Sequence, residues 1–186
     1  MRKTLVAAAF IATAATAWPA PPGRETFTAF AVDVGSSQRR TSTSYVTITI
    51  DRWSTDDERR RLVSAFTEGG PDAFLKELET RKPLGRIFTP DSIGYDLKYA
   101  HQVALATGGR RILIATDRPL SYWEQVNRPR SADYPFTVVE MRLDANGKGQ
   151  GKMTIATKVN AFGDIIDLEN YDLAPVRLSN IQASKK

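Results

Sequence analysis

Short segments in which apolar and polar residues alternate recur along this chain, and they constrain its fold more than any other feature. In residues 45–53, Val46, Ile48 and Ile50 lie on one face of an extended segment and polar side chains lie on the other. Similar segments are residues 25–34, 84–88, 95–105, 110–116, 136–144, 152–159, 165–169 and 176–181. About eight short antiparallel strands at this close spacing predict a strongly curved sheet or a β-barrel.

From Ser54 to Leu78 the apolar side chains no longer alternate with polar ones and instead recur at a spacing that is typical of helices. Ser54 is a good N-cap, and acidic residues follow it at the positive end of a helix dipole. Apolar side chains then recur at helical spacing, at Leu62, Val63, Phe66, Phe74, Leu75 and Leu78. Gly69, Gly70 and Pro71 separate the two halves of this pattern. The signals predict an α+β domain in which a two-helix hairpin backs the sheet, with the charged residues 56–61 on a solvated helix face.

Two further local patterns predict how neighbouring strands connect. The glycines that follow Thr107 indicate a tight turn that makes residues 95–105 and 110–116 a hairpin. Residues 112–115 are apolar on both faces, which is typical of a central strand covered on one side by helices. Residues 145–151 are rich in glycine and predict a second hairpin loop.

The connection between residues 110–116 and 136–144 is the first place to look for function. Connections of this length are uncommon unless they are functional or disordered, and this one is too aromatic for disorder. Aromatic and guanidinium groups that could form a binding lip are Arg118, Tyr122, Trp123, Arg128, Arg130 and Tyr134. Prolines in the same segment would order such a lip before binding. The alternative is a loop that folds over one barrel end, with Trp123 and Tyr134 buried as a plug.

His101 is the only histidine of the chain. Strict alternation would place its side chain on one face with Tyr95, Leu97 and Tyr99. If the sheet closes around a cavity, an imidazole and two phenols on that face supply polar groups that orient a small ligand. The alternative is a histidine that is hydrogen-bonded within the core or at its rim.

The residue types argue against several classes of catalytic and metal-binding site. The chain has no cysteine, so it contains neither a disulfide nor a thiolate. One histidine and no glycine-flanked nucleophile argue against a serine hydrolase and against the usual zinc sites. A carboxylate pair is available among Asp164, Asp167, Glu169 and Asp172, although strand faces exposed to solvent are often charged. Residues 144–149 resemble a calcium loop, but Lys148 occupies a ligand position, so we interpret them as a hairpin turn. We expect no cofactor and no metal.

The first seventeen residues are typical of a signal peptide. Arg2 and Lys3 precede an apolar run over residues 5–15, and small residues precede a cleavage site after Ala17. The alternative is an uncleaved N-terminal anchor. We expect a proline-rich leader over residues 18–24, one domain over 25–182 and a loose basic tail over 183–186, without a transmembrane segment after cleavage. The formal charge of +5 would fall to +3 without the two basic residues, which does not favour nucleic acid as a partner.

Three motifs in this order resemble those of a group of exported bacterial proteins of unassigned function. They are Ile-Asp-Arg-Trp-Ser at residues 50–54, Gly-Tyr-Asp-Leu at 94–97 and Ala-Thr-Asp-Arg-Pro at 115–119. The resemblance spans most of the chain after the signal peptide. It implies an exported bacterial domain, periplasmic or secreted, and it implies no catalytic or binding residue.

These observations favour an exported, non-enzymatic domain that binds a small organic ligand in a barrel or at its mouth. His101, Tyr99 and the lip around Trp123 would contact the ligand. A first alternative is a module that binds an envelope protein through Arg128, Arg130 and the basic tail. A second is a barrel enzyme, of isomerase, cyclase or hydrolase type, that uses His101 and carboxylates.

Overall fold

A computed structural model describes the domain in segments, and the segments agree with the predicted mainly antiparallel β architecture. The described residues are 23–34, 41–90, 92–106, 108–118, 136–155, 158–162, 165–169 and 176–185. The predicted signal peptide and most of the long connection, residues 119–135, lie outside them. Within the described residues, no helix is both long and apolar enough to span a membrane.

Eleven strands and one helix make up the described structure, and nine of the strands form one sheet. The elements are β1 Glu25–Val34, β2 Thr41–Ile50, α1 Asp56–Glu79, β3 Gly85–Phe88, β4 Tyr95–Leu97, β5 Tyr99–Ala104, β6 Arg110–Ala115, β7 Thr137–Leu143, β8 Lys148–Ile155, β9 Lys158–Phe162, β10 Ile165–Glu169 and β11 Val176–Lys185. The order in the large sheet is β4-β3-β2-β1-β11-β8-β7-β6-β5, and β9 pairs with β10. All of these pairs are antiparallel.

The large sheet curves into a nearly closed barrel. Its two edge strands, β4 and β5, are consecutive in the chain and only Lys98 separates them. The concave side holds a cluster of buried apolar side chains to which all nine strands contribute. The largest of its fully buried members are Phe27, Ile48, Ile50, Leu84, Leu97, Ile112, Ile114, Met141 and Met153. The predicted inward face of residues 45–53 is therefore confirmed.

The alternation predicted through residues 95–105 breaks at Lys98. Leu97 lies in the barrel interior, whereas Tyr99 packs on the outer face of the sheet. The chain bends at Lys98, where strand pairing changes from β3 to β6, and the Lys98 N–H donates to the Ala115 carbonyl. Because side chains alternate along a strand, this bend moves every later residue of β5 to the opposite side. The prediction that Leu97 and His101 share a face is wrong for this reason.

The helix begins one residue later than predicted. Thr55 is the N-cap, and its side chain and that of Glu58 form a reciprocal capping box. Ser54, the predicted cap, binds the sheet instead. Its backbone N–H donates to the Ala100 carbonyl at 2.8 Å, and its hydroxyl oxygen accepts the Ala100 N–H at 3.1 Å. The two bonds anchor the start of α1 to β5.

The predicted two-helix hairpin is wrong in its helix count, because residues 56–79 form one helical element with a sharp kink. Gly70 has a φ of 69° and a ψ of −159°, and Pro71 follows it inside the helix. A straight helix of this length would span about 36 Å. Arg81, just beyond the end, nevertheless donates to the Glu58 carbonyl in the first turn at 2.6 Å. Gly70 therefore interrupts the helical conformation, and the two halves of the element fold back against each other.

The helix covers the outer face of β5, β6 and β7. Leu62, Phe74 and Leu78 form a second core with buried side chains of these strands and with Phe136. The rings of Phe74 and Phe136 lie 5.1 Å apart. Leu113 and Ala115 face this core while Ile112 and Ile114 face the barrel interior. The prediction that helical structure covers one side of this strand is confirmed, but β6 lies next to the edge strand β5 and is not central.

Both hairpin turns occur as predicted, and the last strand is longer than predicted. The Leu105 N–H donates to the Gly109 carbonyl between β5 and β6. Between β7 and β8 the Asp144 carboxylate accepts the N–H groups of Asn146 and Lys148, at 2.8 and 2.9 Å. β11 pairs with β1 as far as Lys185, so residues 183–185 are strand rather than a loose tail.

Candidate functional site

Tyr99 and His101 stack against each other on the outer face of β5. Their ring centroids are 6.2 Å apart and their planes differ by 13°. Tyr99 is buried beneath the helix, and His101 is partly exposed beside it. The structure thus brings together two of the predicted ligand-binding residues, and it places them between the barrel and α1 rather than in the barrel interior.

Arg59 of the first helical turns contributes the nearest positive charge. Its side chain is only 14% exposed, and its Nε lies 3.7 Å from the Asp56 carboxylate. Burial lowers the pKa of His101 below its ordinary value of 6.5, and the Arg59 charge lowers it further, against the opposing effect of Asp56. The imidazole is therefore neutral at neutral pH and offers one donor and one acceptor nitrogen.

The Tyr99 phenol is also kept neutral. Burial raises its pKa, and the positive charges of Arg59 and Arg81 oppose the shift only in part. Because Tyr99 is buried, the partly exposed ring of His101 is the member of the stacked pair that another ring could contact.

Arg81 reaches the same region from the far end of the helix. Its Nη2 donates to the Glu58 carbonyl and to a Glu77 carboxylate oxygen, at 2.6 and 2.9 Å. The side chain is 7% exposed, and its Nε and Nη1 are buried without a hydrogen-bond partner in the described part of the chain. Buried donors of this kind are normally satisfied.

The predicted lip begins at the end of β6. Arg118 is exposed, and its Nε lies 3.6 Å from the Asp117 carboxylate. Asp117 also pairs with Lys98, next to Tyr99, at 3.3 Å. Arg118 therefore follows β6, the strand in which Ala115 pairs with Tyr99 of β5. The other predicted lip residues lie outside the described residues and are Tyr122, Trp123, Arg128, Arg130 and Tyr134.

The acidic cluster proposed for an enzyme falls partly on β10. Asp167 pairs with Asn160 and Glu169 pairs with Lys158 across the small hairpin. Asp164 and Asp172 lie outside the described residues. Among the residues that the structure describes, no three His, Cys, Asp or Glu side chains are grouped as a metal would require.

Arg59 and Arg81 were missed by the sequence analysis, and for Arg59 the interpretation as a solvated residue is wrong. Arg59 stands three, four and seven residues before Leu62, Val63 and Phe66. Residues at this spacing share one helix face, so the apolar stripe itself indicates that Arg59 faces the sheet. No local signal marks Arg81, because its position depends on the kink at Gly70.

The arrangement combines stacked neutral rings with two poorly exposed guanidinium groups, a chemistry that recognises carboxylate or phosphate oxygens. No family model, no curated protein and no solved structure matches this chain.

Proposed function

We propose that this protein is an exported, non-enzymatic domain that binds a small organic anion with a planar ring on the outer face of its barrel. The site is formed by Tyr99, His101 and Arg59, beside the beginning of the long connection. The proposal rests on the stacked rings of Tyr99 and His101, together with the positive charges of Arg59 and Arg81 that act on this pair.

The packing of the barrel supports a site outside it. The interior cluster consists of apolar side chains that are almost completely buried, from Phe27 at one end to Met153. Protein interiors of this kind are close-packed, so a guest would have to displace side chains. His101 is partly exposed and needs no such displacement.

The charges support an anionic ligand. Arg59 is shielded from water, so its interaction with a ligand carboxylate is stronger than it would be at an open surface. The neutral imidazole of His101 then donates to or accepts from a second polar group of the ligand. A ring on the ligand would pack against the His101 ring, as aromatic pairs commonly do.

The experiment is a titration of the full chain with pools of aromatic carboxylic acids, neutral sugars and fatty acids, followed through the NMR signals of its single histidine. We expect the aromatic acids to shift these signals. Affinities of the variants are measured by isothermal titration calorimetry, because His101→Gln removes the only histidine. The Arg59→Gln and His101→Gln variants should each bind about tenfold more weakly, the loss of one charge-assisted or buried hydrogen bond. Arg60→Gln is the matched control, because Arg60 is exposed on the same helix.

Two results would overturn the proposal. One is the absence of any response of the histidine signals to every pool. The other is a ligand whose affinity is the same in all three variants.

A further inference from the structure

A row of basic side chains crosses the outer face of four neighbouring strands and begins on β6, the strand that pairs with the His101-bearing strand β5. This basic row consists of Arg111 on β6, Arg142 on β7, Lys152 on β8 and Arg177 on β11. Arg111 stands directly opposite Arg142, and Lys152 stands directly opposite Arg177. Like charges placed opposite each other destabilise a sheet, so the row needs a compensating group.

Glu140 is that group, and it is nearly buried among the cations. One of its oxygens lies 3.0 Å from the Arg111 Nε and 3.1 Å from the Arg142 Nε, and the other lies 3.3 Å from the Lys152 Nζ. Burial alone would raise the pKa of Glu140, but Arg111, Arg142 and Lys152 together outweigh it and lower the pKa. The carboxylate is therefore ionised and holds three of the four cations in place.

Among the described residues, Arg142 and Lys152 share the single carboxylate of Glu140, and no ion pair of Arg177 is found. The Glu140 side chain is 5% exposed, so it is unavailable to a partner, whereas the Arg142 side chain is 68% exposed. Lys152 is partly exposed and Arg177 is exposed. Neighbouring strands are about 4.8 Å apart, so Arg142, Lys152 and Arg177 present positive charge across three strands, along about 10 Å.

We propose that the basic row binds an acidic polysaccharide, whose carboxylate or sulfate groups are spaced along an extended chain. Charge complementarity supports a linear polyanion, because the cations follow one another across neighbouring strands of the outer face. Guanidinium groups also form paired hydrogen bonds to carboxylate and sulfate oxygens.

The neighbouring side chains argue against the other polyanions. Single-stranded nucleic acid is usually held by aromatic side chains on which bases stack. On the four strands that carry the row, the described outward residues around it are polar or aliphatic, such as Gln150 and Thr154. A membrane surface would favour several exposed apolar groups among the cations. Of the large apolar residues that are exposed in the described chain, Val103 on β5 stands opposite Arg111, whereas Tyr45 lies on β2 and Ile93 in the loop after β3. A single exposed valine is not an apolar patch.

The test measures binding of the full chain to heparin and to polygalacturonate over a range of salt concentrations. We expect salt-dependent binding to at least one of them, because the row releases counterions when it binds. The Arg142→Gln/Arg177→Gln double variant should bind on the order of tenfold more weakly or worse, since two charge-assisted contacts are lost. Arg60→Gln/Arg86→Gln removes the same charge from exposed arginines elsewhere and should bind within about twofold of the wild type.

Thermal unfolding of each variant separates loss of binding from loss of fold. Equal weakening in the two double variants would overturn the proposal, because binding would then depend on net charge alone. It would also be overturned if neither polysaccharide binds at low salt. The assigned partner would be wrong if phosphatidylglycerol vesicles or a single-stranded oligonucleotide bind more tightly through the same two arginines.

Discussion

The ammonium group of Lys98 lies 3.3 Å from the Asp117 carboxylate, at the place where the barrel comes nearest to closure. Lys98 separates the two edge strands β4 and β5, and Asp117 follows β6. The same ammonium donates to the Arg81 carbonyl at 3.0 Å, just beyond the helix. Both charged side chains are almost buried. One ion pair therefore joins the sheet edge, the end of β6 and the end of α1.

Removing one partner of this pair should destabilise the fold. We expect Asp117→Asn to lower the free energy of unfolding by about 3 kcal/mol, because it leaves the Lys98 charge without its partner in a buried place. The Lys98→Met/Asp117→Asn double variant should lose less, since no buried charge remains. Urea unfolding measures both. Asp51→Asn, in an exposed pair with Arg24, is the control, and an equal effect there would contradict the prediction.

The single histidine allows a direct test of its electrostatic environment. In the folded protein the pKa of His101 should lie below 6.5, because burial and the Arg59 charge disfavour the imidazolium. The unfolded chain then binds more protons, so this group makes stability fall as pH drops below about 6.5. NMR titration of the histidine signals measures the pKa. Arg59→Gln should raise it and Arg60→Gln should leave it nearly unchanged; a normal pKa in the wild type would refute the account.

Glu58 should make the helix start sensitive to acid. The paired hydrogen bonds from Arg52 lower the pKa of Glu58 to about 2, helped by the Thr55 N–H and opposed by burial. Its stabilising effect is complete above the ordinary value of 4.5 and is lost as pH falls through about 2. We expect Glu58→Gln to lose about 1 kcal/mol at pH 7, reduced by solvent screening.

That difference between Glu58→Gln and the wild type should shrink as urea unfolding is repeated at lower pH. Glu68→Gln changes an exposed glutamate of the same helix and serves as the control. A difference that stays constant down to pH 2 would show that the Glu58 charge is not responsible.

We expect the kink to require Gly70 because of its backbone conformation, and not because a side chain there would clash with a neighbour. Its φ of +69° is one that side chains rarely adopt, while a Cβ at this position would meet nothing within 4 Å. We expect Gly70→Ala to destabilise the protein by about 1 kcal/mol, measured by urea unfolding. At Gly23 a Cβ also meets nothing and φ is not positive, so Gly23→Ala should change stability little. Equal effects of the two substitutions would contradict the explanation.

Local patterns predicted most strands and both hairpin turns, because each depends on neighbouring residues. Val46, Ile48 and Ile50 face the barrel interior as the alternation predicted. The same reasoning failed beyond Lys98, since it assumes an unbroken strand. Two helices were also predicted where one kinked helical element occurs. Glycine and proline indicate a break in the helical geometry, but they do not show whether the helix ends there. Export and the resemblance to exported bacterial proteins stay predictions.

By itself the sequence determined which segments are strand or helix and, between bends, which side chains share a face. These properties follow from the two-residue and 3.6-residue periods of the backbone. Only the tertiary structure decided that His101 lies outside the barrel, that Arg81 returns to the start of its own helix, and that Arg111 and Arg177 belong to one row. Strand order and the curvature of the sheet bring such residues together, and neither can be predicted from the local spacing of apolar and polar residues.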